Sequence, residues 1–143
     1  EEIEVNDCTV IPVPAVHKVK EDEQPFIFLL KKGGKSFLYA TDTGPIEDSS
    51  FGRLKDLIDS PIDIAVVDST LGFMKEVLFP YHHTAEQVIS TKNRMREFRI
   101  IDDNTLVVAH HFSHYPNPPK KELEEFYNRY KVVVAHDGLL LDI

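Results

Sequence analysis

Apolar residues in this chain fall in short runs, and the spacing inside each run predicts an element. Val10 to Val16 reads as an extended segment punctuated by Pro12 and Pro14, and it ends at His17. The charged stretch from Lys18 to Gln24 reads as a loop. Two apolar runs, Phe26 to Leu30 and Ser36 to Ala40, flank Gly33-Gly34 and predict a β-hairpin. The second run leads into the turn-rich stretch Thr41-Asp-Thr-Gly-Pro45. Over residues 50–59, Phe51, Leu54, Leu57 and Ile58 form one apolar stripe at helical spacing, and Pro61 ends it. Ile62 to Val67 is nearly continuous in apolar character, as expected of a strand buried on both faces.

The second half repeats this alternation. Thr84-Ala-Glu-Gln87 matches a capping box, with Thr84 as N-cap, and predicts a helix to about Phe98. Asp102-Asp-Asn104 is a turn, and Thr105 to Ala109 is a further buried strand. Tyr115-Pro-Asn-Pro-Pro119 is a stiff loop that places Pro119 in a first helical turn. Leu123, Phe126, Tyr127 and Tyr130 then give an amphipathic helix over 119–130. Lys131 to Ala135 predicts a last buried strand, and Asp137-Gly138 turns into Leu139 to Leu141. There is no repeat, linker or low-complexity segment. A hairpin followed by alternating helices and strands specifies a layered α/β (α+β) domain, a sheet with helices on at least one face, over residues 1–143 as a single domain.

Composition narrows the setting. The 143 residues suffice for one core, since a domain of this size buries roughly two-thirds of its unfolded surface. No apolar run approaches the ~20 residues of a membrane span. One cysteine, Cys8, excludes an internal disulfide and a zinc finger, and a reducing, cytoplasmic setting is expected. A net charge of −8 opposes general coating of nucleic acid.

The candidate chemistry sits where apolar strands stop. His17, Asp42, Asp68, and the cluster His110, His111 and His114 each follow such a run. In a layered α/β fold strand ends converge on one edge, where ligands bind. Histidine and aspartate together suit a divalent ion such as zinc or manganese, with a further carboxylate orienting each imidazole. Plainer readings stand beside this one. His17 fits a surface loop, Asp42 an ordinary turn, Asp68 a helix cap, and His82 and His83 a solvated approach to Thr84. Three of the chain's seven histidines within five positions, directly after a buried strand, fit a structural role least well.

Taken in order, His17, Tyr39-Ala-Thr-Asp-Thr-Gly-Pro-Ile46, Val66-Val-Asp-Ser-Thr70, His82-His-Thr-Ala-Glu-Gln87, His110-His-Phe-Ser-His114 and Val134-Ala-His-Asp-Gly138 resemble the C-terminal half of the metallo-β-lactamase-fold hydrolases. The resemblance spans essentially the whole chain and is most specific at Thr41–Gly44 and His111–His114. It points to the phosphodiesterase-like branch, which includes tRNase Z and the phosphoribosyl cyclic phosphodiesterase of phosphonate metabolism. It implies half of an αββα sandwich, a mixed sheet with flanking helices. It implies two divalent metal ions, with His17 on the first, Asp42 bridging, and His111, in preference to His110, on the second. Ser113 and His114 would meet the substrate phosphate. Asp68 and His82 would form a proton-relay pair, with His114 as the third catalytic residue. The implied substrate is a small-molecule or nucleotide phosphodiester.

One family element is missing. The motif His-x-His-x-Asp-His, which supplies most of the metal ligands, occurs nowhere in the sequence. The expectation is therefore a chain that forms the C-terminal half of a longer protein and is inactive or nearly so alone. Ile27, Leu29 and the buried strands would lose a packing partner, which favours self-association. The alternative is a non-catalytic α/β interaction or cation-binding module.

Overall fold

The computed structural model describes residues 2–18, 20–75, 80–115 and 117–141. Seven strands form one sheet in sequence order: β1 (Ile3–Val5), β2 (Cys8–Pro14), β3 (Phe26–Lys32), β4 (Lys35–Ala40), β5 (Ile64–Asp68), β6 (Leu106–His110) and β7 (Val133–Val134). Neighbours β1 to β4 pair antiparallel, and β4 to β7 pair parallel. Three helices intervene, α1 (Asp48–Leu57), α2 (Ala85–Glu97) and α3 (Lys120–Tyr127), and a 3-10 turn, Asn128–Tyr130, follows α3. The predicted α/β layering and mixed sheet are the observed ones.

Topology places the site. With β2, β3 and β4 alternating in direction, β2 runs the same way as β4, β5 and β6. The C-terminal ends of β2, β4, β5 and β6 therefore share one edge. Parallel register sets Ala40 beside Val67, Val67 beside Ala109 and Asp68 beside His110. The segments after these strands leave the sheet at one level.

The hairpin turns at Gly33 and Gly34, both at positive φ, as two glycines between apolar runs predict. Pro12 and Pro14 are accommodated within β2 because β1 pairs only as far as Val10. Beyond it one flank of β2 is an edge, where a missing N–H costs nothing. Strand β1 was not legible in the sequence: Glu2 to Val5 alternate charge and aliphatic but stay exposed, and the strand is held by pairing with β2. At the other end Leu139 to Leu141 adds no strand, and α3 stops at Tyr127, with the predicted last turn tightened to 3-10.

The pleat divides the strand residues between two faces. Ile11, Val13, Ile27, Leu29, Leu38, Ala40, Ala65, Val67, Val107, Ala109 and Val134 point toward the helices. There they join Phe51 and Leu54 of α1, Val88 and Met95 of α2, and Leu123 and Tyr127 of α3 in one core. A smaller cluster, Ile64, Val66 and Val108 with Phe37, Leu106, Val133, Ala135 and Leu141, lies on the opposite face. This corrects one expectation: Ile27 and Leu29 are fully buried beneath the helices. The side chains left without cover are their neighbours in the pleat, Phe26 and Phe28, and Tyr39 opposite Phe28, which are 44%, 38% and 39% exposed. The alternation was visible in the sequence, but the face that the helices would take was not.

Each helix is secured locally. The Thr84 capping box forms in full: Thr84 Oγ1 accepts the Gln87 N–H, and Gln87 Oε1 accepts the Thr84 N–H. In α3, the Tyr127 hydroxyl meets Ser69 Oγ at 2.7 Å inside the core, which ties the helix to the segment after β5. No helix among the described residues is long and apolar enough to cross a membrane.

Asp63 fixes the start of β5 against β4. Its Oδ2 accepts the Ser36 N–H at 2.8 Å, and Lys35 Nζ lies 3.1 Å from Oδ1. The Ser36 N–H, helped by Lys35, holds this carboxyl below its ordinary range. A depressed folded-state value contributes stability above the unfolded value, about 3.9 for aspartate, and that contribution is lost as the pH falls through the folded one. Asp63→Asn is therefore expected to be less stable than the parent at pH 7 in urea unfolding. The difference should shrink as the pH drops below about 4. A gap unchanged down to pH 2 would exclude this role.

Candidate metal centre

Asp68, the last residue of β5, is fully buried although charged. Its Oδ1 accepts the backbone N–H groups of Thr70 at 3.0 Å and His83 at 3.1 Å. Its Oδ2 accepts the backbone N–H of Asp42 at 2.9 Å and the Thr70 hydroxyl at 3.1 Å. The same Oδ2 lies 3.3 Å from His82 Nδ1 and 3.1 Å from His111 Nδ1. A buried carboxylate persists only with such partners. Here they come from four places: the turn after β4, the segment after β5, the approach to α2 and the end of β6.

The ring nitrogens facing Asp68 are the Nδ1 atoms. With Nδ1–H donated to the carboxylate or, for His111, to Thr70 Oγ1 at 2.7 Å, the Nε2 lone pair is left free. His111 Nε2 lies 3.9 Å from Asp42 Oδ1. His17 Nε2 approaches the same oxygen to 3.4 Å, and its own Nδ1 lies 3.2 Å from the Lys18 carbonyl oxygen. His82 Nδ1 is 3.9 Å from that oxygen as well. The imidazoles of His82 and His111 stack at 5.9 Å, and His17 meets His82 edge-on at 5.3 Å.

Three imidazoles thus surround one carboxylate oxygen at the exposed edge of the sheet. Two ligands held tetrahedrally at about 2.1 Å from a zinc ion stand about 3.4 Å apart, the His17–Asp42 separation. Asp42, Asp68, His82 and His111 each present an atom within 4.8 Å of the others. That group could hold a divalent ion, and His17 Nε2 joins it through Asp42 Oδ1. Asp68 is committed to backbone donors and serves by aiming the imidazoles.

Backbone strain marks the same positions. Asp42 and His111 adopt left-handed φ values of 55° and 62°. Non-glycine residues hold that conformation at a cost, and such costs concentrate at functional sites. His110, one residue earlier, points to the opposite face of the sheet near Tyr39, at 6.4 Å between rings. Burial, with the neighbouring His111, depresses its pKa.

Ser113 and His114 lie in the loop beyond His111. The Ser113 carbonyl accepts an N–H from the Asn117 side chain, which also bonds the Thr70 carbonyl. His114 is exposed, without a hydrogen bond or ion pair among the described residues. The cluster therefore unites His17, Asp42, Asp68, His82 and His111 and leaves Ser113 and His114 outside it. The reading of His83 as part of a solvated approach to Thr84 is overturned. His83 is fully buried, with Nδ1 2.9 Å from the Thr43 carbonyl oxygen and Nε2 2.9 Å from Thr91 Oγ1. Burial depresses its pKa, against the raising pull of the Thr43 carbonyl. The available signal was its place one residue before a capping threonine, where the chain turns inward.

Removing the Asp68 carboxylate strands the N–H groups of Asp42, Thr70 and His83. Asp68→Ala is expected to lose about 3–5 kcal/mol of unfolding free energy in guanidinium titration. A loss below about 1 kcal/mol would show that these bonds do not organise the edge.

A family model described as a Beta-lactamase superfamily domain matches residues 1–112. No curated protein matches the sequence. Among solved structures, the metallo-beta-lactamase fold protein YhfI from Bacillus subtilis superposes with a TM-score of 0.68 at 11% identity, over 97% of this chain and 51% of its own. Zn2+-bound PqqB from Methylobacterium extorquens gives 0.65 at 17%, over 100% and 53%. Human tRNase Z, short form, gives 0.64 at 15%, over 99% and 44%. The chain spans about half the length of the structures it matches. The sheet, the helices that cover one of its faces, and the match over residues 1–112 establish that this chain belongs to the beta-lactamase superfamily domain family and carries the metallo-beta-lactamase fold.

Proposed function

We propose that this chain carries part of the dinuclear metal centre of a hydrolase that cleaves phosphodiester bonds in a small-molecule or nucleotide substrate. The observation that carries the proposal is the convergence of His17 Nε2, His82 Nδ1 and His111 Nε2 within 4 Å of Asp42 Oδ1, at an edge organised by a buried carboxylate. His17, Asp42 and His111 would hold the metal, with Asp42 shared by the His17 and His111 sides of the cluster. Zinc or manganese suits this donor set. When bound, such a pair supplies a hydroxide at neutral pH and neutralises charge on a phosphoryl oxygen.

The chain's own residues do the rest. Asp68, through the Thr70 hydroxyl that it holds, fixes the His111 imidazole at Nδ1 and aims its Nε2 outward. It holds His82 directly at Nδ1, which leaves the His82 Nε2 lone pair to take up a proton from water and pass it to the leaving oxygen. Ser113 and His114, on the loop after His111, steady the substrate phosphate. The phosphodiesterase-like branch is what the resemblance of the Asp68, His82 and His111–His114 stretches implies.

Three donors from this chain do not fill two coordination spheres. The remaining ligands, those of a His-x-His-x-Asp-His motif, come from outside this sequence, and the chain by itself is inactive or nearly so. The uncovered aromatics Phe26, Phe28 and Tyr39 give the isolated chain a surface for self-association. A reducing cytoplasmic setting suits the single thiol, Cys8.

The test uses the full-length natural protein, with bis(p-nitrophenyl) phosphate as probe. Activity should vanish with chelator and return with zinc or manganese. Asp42→Ala and His111→Ala should each lower kcat/KM more than about a hundredfold, since even residues that only orient metal ligands cost 10–100-fold. Activity that survives chelator, or is untouched by both substitutions, would remove the proposal.

A further inference from the structure

We propose that His83 is a positioning residue that sets the Asp42 and His17 segments of the metal cluster from inside the core. The inference rests on the reading of Asp42 and His17 as metal ligands.

The imidazole of His83 is fully buried between two groups that fix its tautomer. A carbonyl oxygen only accepts, so the contact of Nδ1 with Thr43 at 2.9 Å requires the proton on Nδ1. Nε2 is then the acceptor for the Thr91 hydroxyl of α2, also at 2.9 Å. The backbone N–H of His83 is taken by Asp68 Oδ1 at 3.1 Å. The residue is therefore held from two sides, by Thr91 and Asp68, besides its contact with the turn.

Thr43 is the point of application. It follows Asp42, whose left-handed backbone needs support, and it is completely buried. Its Oγ1 lies 3.1 Å from the backbone N of Val16, and the Gly44 N–H donates to the Val16 carbonyl at 2.7 Å. Val16 directly precedes His17. One ring nitrogen thus governs a turn that carries Asp42 on one side and is stitched to His17 on the other. Gly44 shows how closely this turn is seated: a Cβ there would stand 2.1 Å from the Pro80 carbonyl oxygen, on the approach to His83. A methionine of similar bulk at position 83 would fill the space and leave the Thr43 carbonyl without a donor.

Conservative variants separate positioning from packing. An asparagine amide reaches the place of Nδ1 and keeps the bond to Thr43. A glutamine reaches the place of Nε2 and keeps only the contact with Thr91. In the full-length protein, H83N, H83Q and H83M are expected to lower Tm comparably, since each replaces a fully packed ring. Zinc affinity, read by chelator competition, should stay within about threefold of the parent in H83N. It should fall about 10–100-fold in H83Q and H83M. Hydrogen exchange at the Gly44 amide should accelerate in H83Q and H83M and hold near the parental rate in H83N.

Zinc affinities that fall in parallel with Tm across all three variants, or in none of them, overturn the inference. If the parent protein binds no zinc, the metal reading fails, and Gly44 exchange still decides the positioning role. A selective acceleration in H83Q and H83M upholds it, and equal rates reject it. Should no His83 variant fold, Thr91→Val removes only the hydroxyl that anchors the far side of the ring. It should raise Gly44 exchange with little change in Tm, and an unchanged rate there rejects the inference.

Discussion

The edge of this sheet is organised by one buried charge. Asp68 takes the place where a strand buried on both faces reaches solvent, and its carboxylate stays inside because six donors surround it. Such a charge would be costly if unpaired. Its requirement for partners is therefore also a requirement on the loops that supply them. The turn after β4, the approach to α2 and the end of β6 each satisfy one or two lone pairs. In doing so they bring Asp42, His82 and His111 within reach of one another. Affinity for metal at this edge, where it exists, is built on hydrogen bonds that do not involve the metal.

Two layers of control follow. Asp68 acts on the imidazoles of His82 and His111 by their Nδ1 atoms, which sets ring orientation. His83 acts on the Thr43 carbonyl, which sets the backbone under Asp42 and, through Val16, the start of the His17 segment. Neighbouring histidines in the sequence thus divide into one that faces the cluster and one that faces the core. The first is part-exposed and stacked on His111, and the second is closed off from water. The strain at Asp42 and His111 is tolerated because both are held from behind by these bonds.

Much of the fold was legible because its signals are local. The Gly33-Gly34 hairpin, the capping box at Thr84 and the buried runs of β5 and β6 each rest on a few adjacent residues, and each appears within a residue or two of its predicted bounds. The failures are those where pairing or packing decides. β1 is a short strand whose aliphatic residues, Ile3 and Val5, stay exposed. The exposed aromatics of β3 were misassigned by one residue in the pleat, because a strand with apolar residues at every position does not announce which set lies beneath the helices.

The sequence by itself determined the layered α/β class, the family resemblance and the fact that His17, Asp42, Asp68 and His111 each end an apolar run. Those are properties of single segments, set by local propensity and by the position of polar residues relative to apolar ones. The tertiary structure alone decided that β2 runs parallel to β4, β5 and β6, so that four strand ends meet at one edge. It also decided which nitrogen of each imidazole faces Asp68, that His83 lies inside the core, and that His114 stands apart from the cluster. Strand direction and side-chain facing depend on contacts between residues tens of positions apart, and no local pattern carries that information.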